Sequence, residues 1–200
     1  MSLLEQFRFL DPGPLIDREL ELVPPEDRWI DGLLATLNDQ RTRDLVPGDS
    51  ILSREQLSRF VREFPLGRQN ANPEKGFVPA YHFWMRLRPE FDPPVQIAGG
   101  IGLRVGHTDN LEMYLGHIGY NVYPPARGHH YASRAVRLLL PLARRMGINP
   151  LWITCNPENL ASRRTCLGAG GRLVEIVKLP KDHPLYAKGE RAKCRFRFDL

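Results

Sequence analysis

The most constraining feature of the sequence is a change of hydrophobic period within Gly116–Met146. Apolar and polar residues alternate over 117–122, which is the two-residue period of a β-strand. Pro124 and Pro125 end that strand because proline cannot donate a hydrogen bond to a ladder. After Arg127 the apolar residues recur at helical spacing, at Ala132, Ala135, Val136, Leu139, Ala143 and Met146. The stretch therefore predicts a strand, a short turn and a helix.

The turn between this strand and helix contains Arg127-Gly128-His129-His130. The first backbone N–H groups of a helix have no intrahelical acceptor, so after a short turn they converge on one spot. That spot favours an anion, and a phosphate above all. Arg127 adds a fixed positive charge and a planar set of donors. The residues predict a phosphate-binding turn, with an ordinary strand–helix connection as the alternative.

A second patterned stretch follows the helix. Leu151–Cys155 is short and apolar, as in a strand buried within a parallel pair. The crossover through the helix then makes this strand a parallel neighbour of the first one. Within the crossover, Pro141 is predicted to kink or shorten the helix and Gly147 to cap it. Asn159 is the predicted N-cap of the next helix.

The N-terminal part predicts one strand and two helices. Alternation within Leu15–Val23 favours a strand. Pro25–Asp39 begins with acidic residues and carries an apolar stripe, which predicts a helix. Ser53 and Gln56 form a capping box at the start of another helix. The segments 77–87 and 95–105 then predict a β-hairpin.

The two patterned stretches resemble the acetyl-CoA signature of the GNAT family of N-acetyltransferases. The first half, V-x-P-x-x-R-G-x-x-x-A, runs from Val122 to Ala132. The family form R/Q-x-x-G-x-G/A places His130 where a second glycine is expected. The second half, N-x-x-S, is carried by Asn159 and Ser162. The two halves stand in the family's order and separation, and the resemblance covers residues 77–175.

The resemblance implies an α/β (α+β) fold in one domain. Its sheet would be mixed and mostly antiparallel, with central parallel strands that splay apart to admit the cofactor and helices on the flanks. Residues 1–76 would supply an N-terminal strand and helices, residues 77–175 the cofactor-binding core, and residues 176–200 a C-terminal hairpin.

By the same resemblance the cosubstrate is acetyl-CoA and no metal is required. Its pyrophosphate would lie on the turn. Its pantetheine arm would run along the preceding strand, where Tyr120, Asn121 and Val122 would offer it backbone groups. The predicted cofactor-binding residues are Tyr120, Asn121, Val122, Arg127, Gly128, His129, His130, Tyr131, Ala132, Asn159 and Ser162. A metal site built from His129, His130 and His117 is disfavoured, because their spacing matches no zinc pattern.

Acetyl transfer to an amine also needs a base and an acid. His117 is the predicted base, because it stands where many relatives carry a glutamate and its ordinary pKa lies near neutrality. Glu112 is the second candidate, and a purely structural hydrogen bond is the alternative for His117. Cys166 takes the place of a tyrosine acid, with Tyr131 or solvent as substitutes and a buried structural cysteine as the alternative.

Net charge and cysteine content indicate the cellular compartment and limit the kinds of binding partner. Three cysteines without C-x-x-C spacing favour a reducing, cytoplasmic protein without a disulfide framework. Without a run of 18 apolar residues, no membrane helix is expected. Net charge is +5 but scattered, so nucleic-acid binding is disfavoured. Lys193, Arg195 and Arg197 alternate on the last strand and are predicted to form a solvated face rather than a nucleic-acid patch.

The sequence thus predicts an N-acetyltransferase that moves an acetyl group to a primary amine on a small molecule or a peptide. The polar loop 65–76 and the segment 180–189 are candidate borders of the acceptor site or mere connections. A homodimer is compatible with families of this kind. The alternative is a catalytically inactive acyl-CoA-binding sensor or interaction module, because His130 and Cys166 depart from the family pattern.

Overall fold

Two antiparallel β-sheets form the frame of the computed structural model, which describes residues 9–45, 52–63, 67–68 and 78–200. The first sheet contains β1 Ile16–Asp17, β2 Leu20–Val23, β3 Gly67–Arg68, β4 Ala80–Leu87, β5 Ile97–Arg104 and β6 Ile118–Val122. The second contains β7 Leu151–Cys155, β8 Arg172–Lys178 and β9 Ala192–Phe198. The strand orders are β1-β2-β4-β5-β6, with β3 beside β4, and β7-β9-β8.

Six α-helices accompany the sheets in the described part of the chain. They are α1 Ile30–Asn38, α2 Gln40–Arg43, α3 Arg54–Glu63, α4 Tyr131–Arg145, α5 Leu160–Gly168 and α6 Pro184–Ala187. None of these helices is long and apolar enough to cross a bilayer.

The predicted strands form, with some differences. Leu15–Val23 folds into the short hairpin β1–β2 instead of one strand. The predicted hairpin of 77–87 and 95–105 is β4 and β5, and the predicted C-terminal hairpin is β8 and β9. Apart from β3, the polar loop 65–76 lies outside the described residues.

The helices follow their predicted signals closely. The capping box is present, since the N–H of Ser53 donates to Gln56 Oε1 (2.7 Å) and the N–H of Gln56 donates to Ser53 Oγ (3.3 Å). The helix predicted over Pro25–Asp39 begins later, as α1, after a 3₁₀ turn at Asp27–Trp29. Helix α2 was not predicted; Asp39 caps it by accepting from the N–H of Arg41 (2.9 Å).

Helix α4 is not shortened at Pro141, which was one of the two predicted effects of that proline. The helix continues to Arg145, and Pro141 lies on its exposed face, away from the core. Gly147 ends the helix as predicted, with φ +75°. Its N–H donates to the carbonyl of Arg144 (3.0 Å), and the N–H of Ile148 donates to that of Ala143 (3.0 Å). These two bonds satisfy the last carbonyls in the Schellman pattern.

The first sheet separates two hydrophobic clusters. One face, with Tyr81, Phe83 and Leu103, packs against the stripe of α4 that includes Leu139. Burying a leucine such as Leu139 stabilises the fold by about 1.5–3 kcal/mol. The opposite face carries Trp84, which packs against α1 and α3. Helix α4 is thereby fixed to the sheet that ends in β6, so the turn before α4 has a rigid position.

The predicted parallel pairing of β6 and β7 is not confirmed. The two strands are terminal strands of different sheets, and no ladder joins them among the described residues. They are linked instead at the start of β6: the N–H of His117 donates to the carbonyl of Trp152 (2.6 Å), and the N–H of Trp152 donates to His117 Nδ1 (2.9 Å). His117 therefore joins the two sheets through both its backbone N–H and its imidazole.

Of the basic face predicted on β9, Arg197 is partly exposed, but the other two residues are buried. Lys193 and Arg195 are only 8% and 7% exposed. Lys193 Nζ donates to Asn156 Oδ1 (2.8 Å), and Arg195 Nε donates to the carbonyl of Glu112 (3.1 Å) while its guanidinium stacks 4.0 Å from the Trp152 ring centroid. Lys193 and Arg195 therefore tie the second sheet to its surroundings instead of forming the predicted solvated face.

The position of His117 makes the stability of the fold depend on pH. His117 is fully buried, and burial lowers its pKa from the ordinary 6.5. Below about pH 6.5 the unfolded chain therefore binds a proton at His117 that the folded chain does not. The contribution of His117 to the free energy of unfolding is thus fully present above that pH and is lost as the pH falls toward the lowered pKa. We expect a loss of up to about 1.4 kcal/mol per pH unit in the free energy of unfolding.

Denaturant unfolding at about pH 7.5 and about pH 5.5 measures this slope. His117→Asn should flatten it, whereas the control His129→Asn, at an exposed position, should leave it unchanged. An equal slope in His117→Asn and wild type would show that another group causes the pH dependence.

Candidate functional site

The turn before α4 has the geometry of an anion site. Gly128 has φ +91° and His130 has φ +58°, both in the left-handed region. The N–H of Arg134 donates to the carbonyl of His130 (3.1 Å), so the N–H groups of the three preceding residues come before the first intrahelical bond. His130 thus adopts the conformation that glycine provides in the family pattern, and histidine is one of the residues enriched there.

The side chains of the turn divide into exposed and buried groups. Arg127, Gly128, His129 and His130 are exposed at the helix end. Arg127 Nε donates to the carbonyl of Val122 (3.1 Å), which holds the guanidinium over the end of β6. Tyr131 is 2% exposed and belongs to the core, and its ring stacks on that of His129, with the centroids 5.4 Å apart. Of the predicted residues on this turn, Tyr131 therefore offers its backbone N–H alone.

A cleft of about 570 Å³ adjoins the turn. His129, His130, Arg137 and Gly168 line it, together with the β1–β2 turn. Arg134 forms its wall and is paired, since Nε donates to Asp17 Oδ2 (2.6 Å) and Nη1 to Glu19 Oε1 (2.5 Å). The volume is within the range of small-molecule sites.

The free edge of β6 offers backbone groups beside the turn. The N–H of Arg104 donates to the carbonyl of His117 (2.7 Å), and the N–H of Tyr123 donates to that of Ala98 (2.8 Å). Alternate residues of an antiparallel strand bond the same neighbour. The odd-numbered residues of β6 therefore face β5, and the backbone groups of Tyr120 and Val122 face the free edge. Asn121, which the sequence predicts to offer backbone groups to a cofactor, instead directs them at β5.

A hydroxyl cluster lies between β6 and α5. The hydroxyls of Tyr120 and Ser162 are 2.8 Å apart, and Cys166 Sγ is 3.8 Å from Tyr120 Oη. Burial raises the pKa of Tyr120, and burial also raises the pKa of the Cys166 thiol to about 12. Asn159 caps α5 as predicted, because its Oδ1 accepts from the N–H of Ser162 (3.0 Å). Both the phenol and the thiol therefore keep their protons near neutral pH.

The sequence assigned only the backbone of Tyr120 to the site. The signal for its side chain was present, because the two-residue period of β6 places Tyr120 on the same face as Ile118 and Val122. That face is the one covered by α4 and α5. The partner Ser162, 42 residues later, could not be deduced from β6 alone.

The predicted base His117 is engaged at both ring nitrogens. Nδ1 accepts from Trp152, and Nε2–H donates to the carbonyl of Gly106 (3.1 Å). The side chain is fully buried, and burial lowers its pKa. Taking up a further proton would break the bond from Trp152. This arrangement favours the structural alternative for His117 over the role of base.

Glu112, the second predicted base, lies near His117 and is partly exposed. His107 Nδ1 donates to its Oε1 (2.9 Å). One ligand atom from each of Glu112, His107 and His117 lies within 4.8 Å of the other two. His117 would have to give up its bond to Gly106 to hold a metal, so the three groups fit a metal poorly. His129 and His130 lie on a different element, at the start of α4.

Comparison with known proteins agrees with this geometry. The family model of the GNAT acetyltransferase domain matches residues 19–172, which is most of the chain. A search of curated protein sequences found no match.

Several solved structures share the fold at low sequence identity. A proposed ribosomal-protein-serine acetyltransferase from Vibrio cholerae is 20% identical, with TM-score 0.64 over 96% of this chain and 100% of that one. A microcin self-immunity acetyltransferase, MccE, in complex with acetyl-CoA and AMP is 17% identical, with TM-score 0.64 over 92% and 94%. The ribosomal-protein α-N-acetyltransferase RimL, joined to coenzyme A by a disulfide, is 16% identical, with TM-score 0.62 over 94% and 98%.

The match of the family model over most of the chain, together with the strand–turn–helix geometry, identifies this protein as a member of the GNAT family of acetyltransferases, and hence as an acyltransferase.

Proposed function

We propose that the protein transfers the acetyl group of acetyl-CoA to a primary amine. The observation that carries the proposal is the turn before α4, where Gly128 and His130 are left-handed and three N–H groups precede the first intrahelical bond, beside Arg127. A pyrophosphate is the group that such a helix start binds best. MccE and RimL, which share the fold, were solved with acetyl-CoA and coenzyme A, which supports this choice.

The pyrophosphate is held in this proposal by the helix start and by Arg127. Arg127 makes no ion pair among the described residues, so its guanidinium can turn from the carbonyl of Val122 toward a phosphate. The cleft lined by His129, His130 and Arg137 receives the nucleotide end. The free-edge backbone groups of Tyr120 and Val122 then bond the pantetheine arm and direct it between the two sheets.

The thioester is polarised by an N–H of the same edge. The amine nitrogen attacks the carbonyl carbon, the carbon–sulfur bond breaks, and the amine loses one proton. We assign that proton to Glu112 rather than to His117, because both nitrogens of His117 already bond the backbone. Arg195 holds the backbone of Glu112, and His107 orients its carboxylate.

The leaving thiolate is protonated by the pair of hydroxyls at Tyr120 and Ser162. The phenol of Tyr120 keeps its proton because burial raises its pKa, and it can be resupplied through Ser162 at 2.8 Å. Cys166 is fully buried and contacts both hydroxyls of the cluster, so in this proposal it supports the phenol and is not itself the acid.

The acceptor in this proposal is an amine on a small molecule or a peptide. RimL is an α-N-acetyltransferase of a ribosomal protein, so peptide amines belong in the first panel of acceptors. The runner-up function, an acyl-CoA sensor, predicts cofactor binding without acetyl transfer to any of them.

Binding of acetyl-CoA tests the turn directly. Arg127→Ala should weaken the affinity measured by isothermal titration calorimetry about tenfold, because a charge-assisted hydrogen bond to phosphate is lost. Arg144→Ala, an exposed arginine in the last turn of α4, removes the same charge and should bind like wild type. Equal affinities of the two variants would exclude Arg127 from the phosphate site.

Steady-state kinetics tests the acid. Tyr120→Phe should lower kcat about 10²-fold and change the KM for acetyl-CoA by less than about threefold, because only the departing thiolate needs the proton. Tyr123→Phe removes a neighbouring phenol that lies outside the hydroxyl cluster and should leave both constants unchanged. An unchanged kcat in Tyr120→Phe would assign the proton to solvent.

His130 stands where the family pattern has glycine, and its left-handed backbone conformation should cost measurable stability. His130→Gly should raise the free energy of unfolding by about 0.5–1 kcal/mol, because left-handed backbone is costly for a residue with a Cβ. Acetyl-CoA affinity should stay within about threefold, since the backbone path is unchanged. His129→Gly, at a residue without a positive φ, should destabilise instead. If His129→Gly also stabilised the protein, the positive φ of His130 would not explain the effect of His130→Gly.

A further inference from the structure

The second face of the first sheet has an apolar half and a polar half. In the apolar half, Trp84 and Ile97 are covered by α1 and α3. In the polar half, glycines of β5 and β6 leave room on the sheet, and three polar side chains occupy that room. A Cβ at each glycine would meet one of these side chains: His82 at Gly102, Asn121 at Gly100 and Arg104 at Gly119. This half is only partly covered in the described part of the chain.

Arg104 is the charged group of this surface. Its Nη1 donates to the carbonyls of Gly116 (3.0 Å) and Leu115 (3.4 Å). A Cβ on Gly119 would lie 3.4 Å from both Nη1 and Nη2, so the guanidinium rests directly on β6. Burial lowers the pKa of Arg104, and no carboxylate of the described residues opposes that effect.

Most partly buried arginines of the described residues pair with a carboxylate, whereas Arg104, like Arg163, does not. Arg86 pairs with Glu21, Arg134 with two carboxylates, and Arg195 with Glu175. Arg104 has no ion pair among the described residues. Its donors at Nε and Nη2 bond no protein acceptor there. A desolvated cation with free donors lowers its free energy by binding an anion.

The position of Arg104 places that anion beside the proposed reaction. Gly119, under the guanidinium, precedes Tyr120, whose backbone lies on the proposed cofactor edge. The turn Leu111–Leu115 carries Glu112 near its start, and the carbonyls of its last residue and of Gly116 bind Arg104. The Glu112 carboxylate and the Arg104 guanidinium thus lie at the two ends of one turn. An acceptor with an ammonium group and an anionic group could bind to both.

We propose that Arg104 binds a carboxylate of the acceptor, so that the preferred substrates are amines that also carry a carboxylate. This inference rests on the proposed acetyl transfer and narrows its acceptor. The carboxylate can belong to a free amino acid or to an acidic side chain near the N-terminus of a peptide. Both sources share the chemistry that a planar guanidinium recognises.

The test compares matched acceptors that differ only in the carboxylate. Glycine is paired with glycinamide, and Asp-Ala amide with Asn-Ala amide, and acetylation is followed by release of free thiol. We expect kcat/KM to be about 10- to 100-fold higher for the acid of at least one pair, mainly through KM, because a charge-assisted bidentate bond is gained. The pair that shows the preference identifies the source.

Two variants locate the preference. Arg104→Gln should reduce the acid-to-amide ratio to about one while the rate with the amide and the affinity for acetyl-CoA stay unchanged. Arg144→Gln, an exposed arginine on α4, should keep the full ratio. Equal kcat/KM for acid and amide in the wild-type protein would overturn the inference, whatever the stability of the variants. An acid-to-amide ratio that is unchanged in Arg104→Gln would also overturn it.

A binding measurement separates this inference from the proposed function. Calorimetry with N-acetylglycine and N-acetylglycinamide, on protein saturated with coenzyme A, needs no turnover. If no amine is acetylated but N-acetylglycine binds through Arg104, the acetyl-transfer proposal fails and the anion site stands. If transfer occurs and neither the kinetic nor the binding pair depends on Arg104, the function stands and the anion site is refuted.

Discussion

The hydrogen bonds between His117 and Trp152 join two sheets that share no ladder in the described residues. They fix β6 and β7 at one end and leave the free edge of β6 available beside α4 and α5. The link requires a neutral imidazole, because Nδ1 accepts while Nε2 donates to Gly106. The proposed cofactor edge, the hydroxyl cluster and the turn with Glu112 all depend on how this junction sets the sheets apart.

Local chemistry in the sequence predicted the elements well, because each signal acts over a few residues. The capping box at Ser53, the cap at Gly147 and the strand–turn–helix around Gly128 all formed. The prediction failed where the outcome depends on distant residues. Alternation put Arg195 on one face of β9, but it could not show that Glu112, 83 residues earlier, and the Trp152 ring would cover that face.

The candidate site divides along the same line. The backbone part, from Val122 to Ala132, could be read from period and turn chemistry, since it needs only the residues themselves. The roles of the side chains could not be predicted in this way, because each depends on its neighbours. Both ring nitrogens of His117 bond the backbone, and the hydroxyl of Tyr120 has a partner on α5. Arg104 was not predicted, because the lack of a carboxylate partner among the described residues has no sequence signature.

The left-handed His130 has a consequence for how relatives are found. The family pattern asks for glycine there, yet the backbone conformation is kept with a side chain present. Asparagine, aspartate and histidine all tolerate this region, at a modest cost in energy. A search pattern written for the conformation, with these residues allowed in place of glycine, would recover acetyltransferases that a pattern written for the residue passes over.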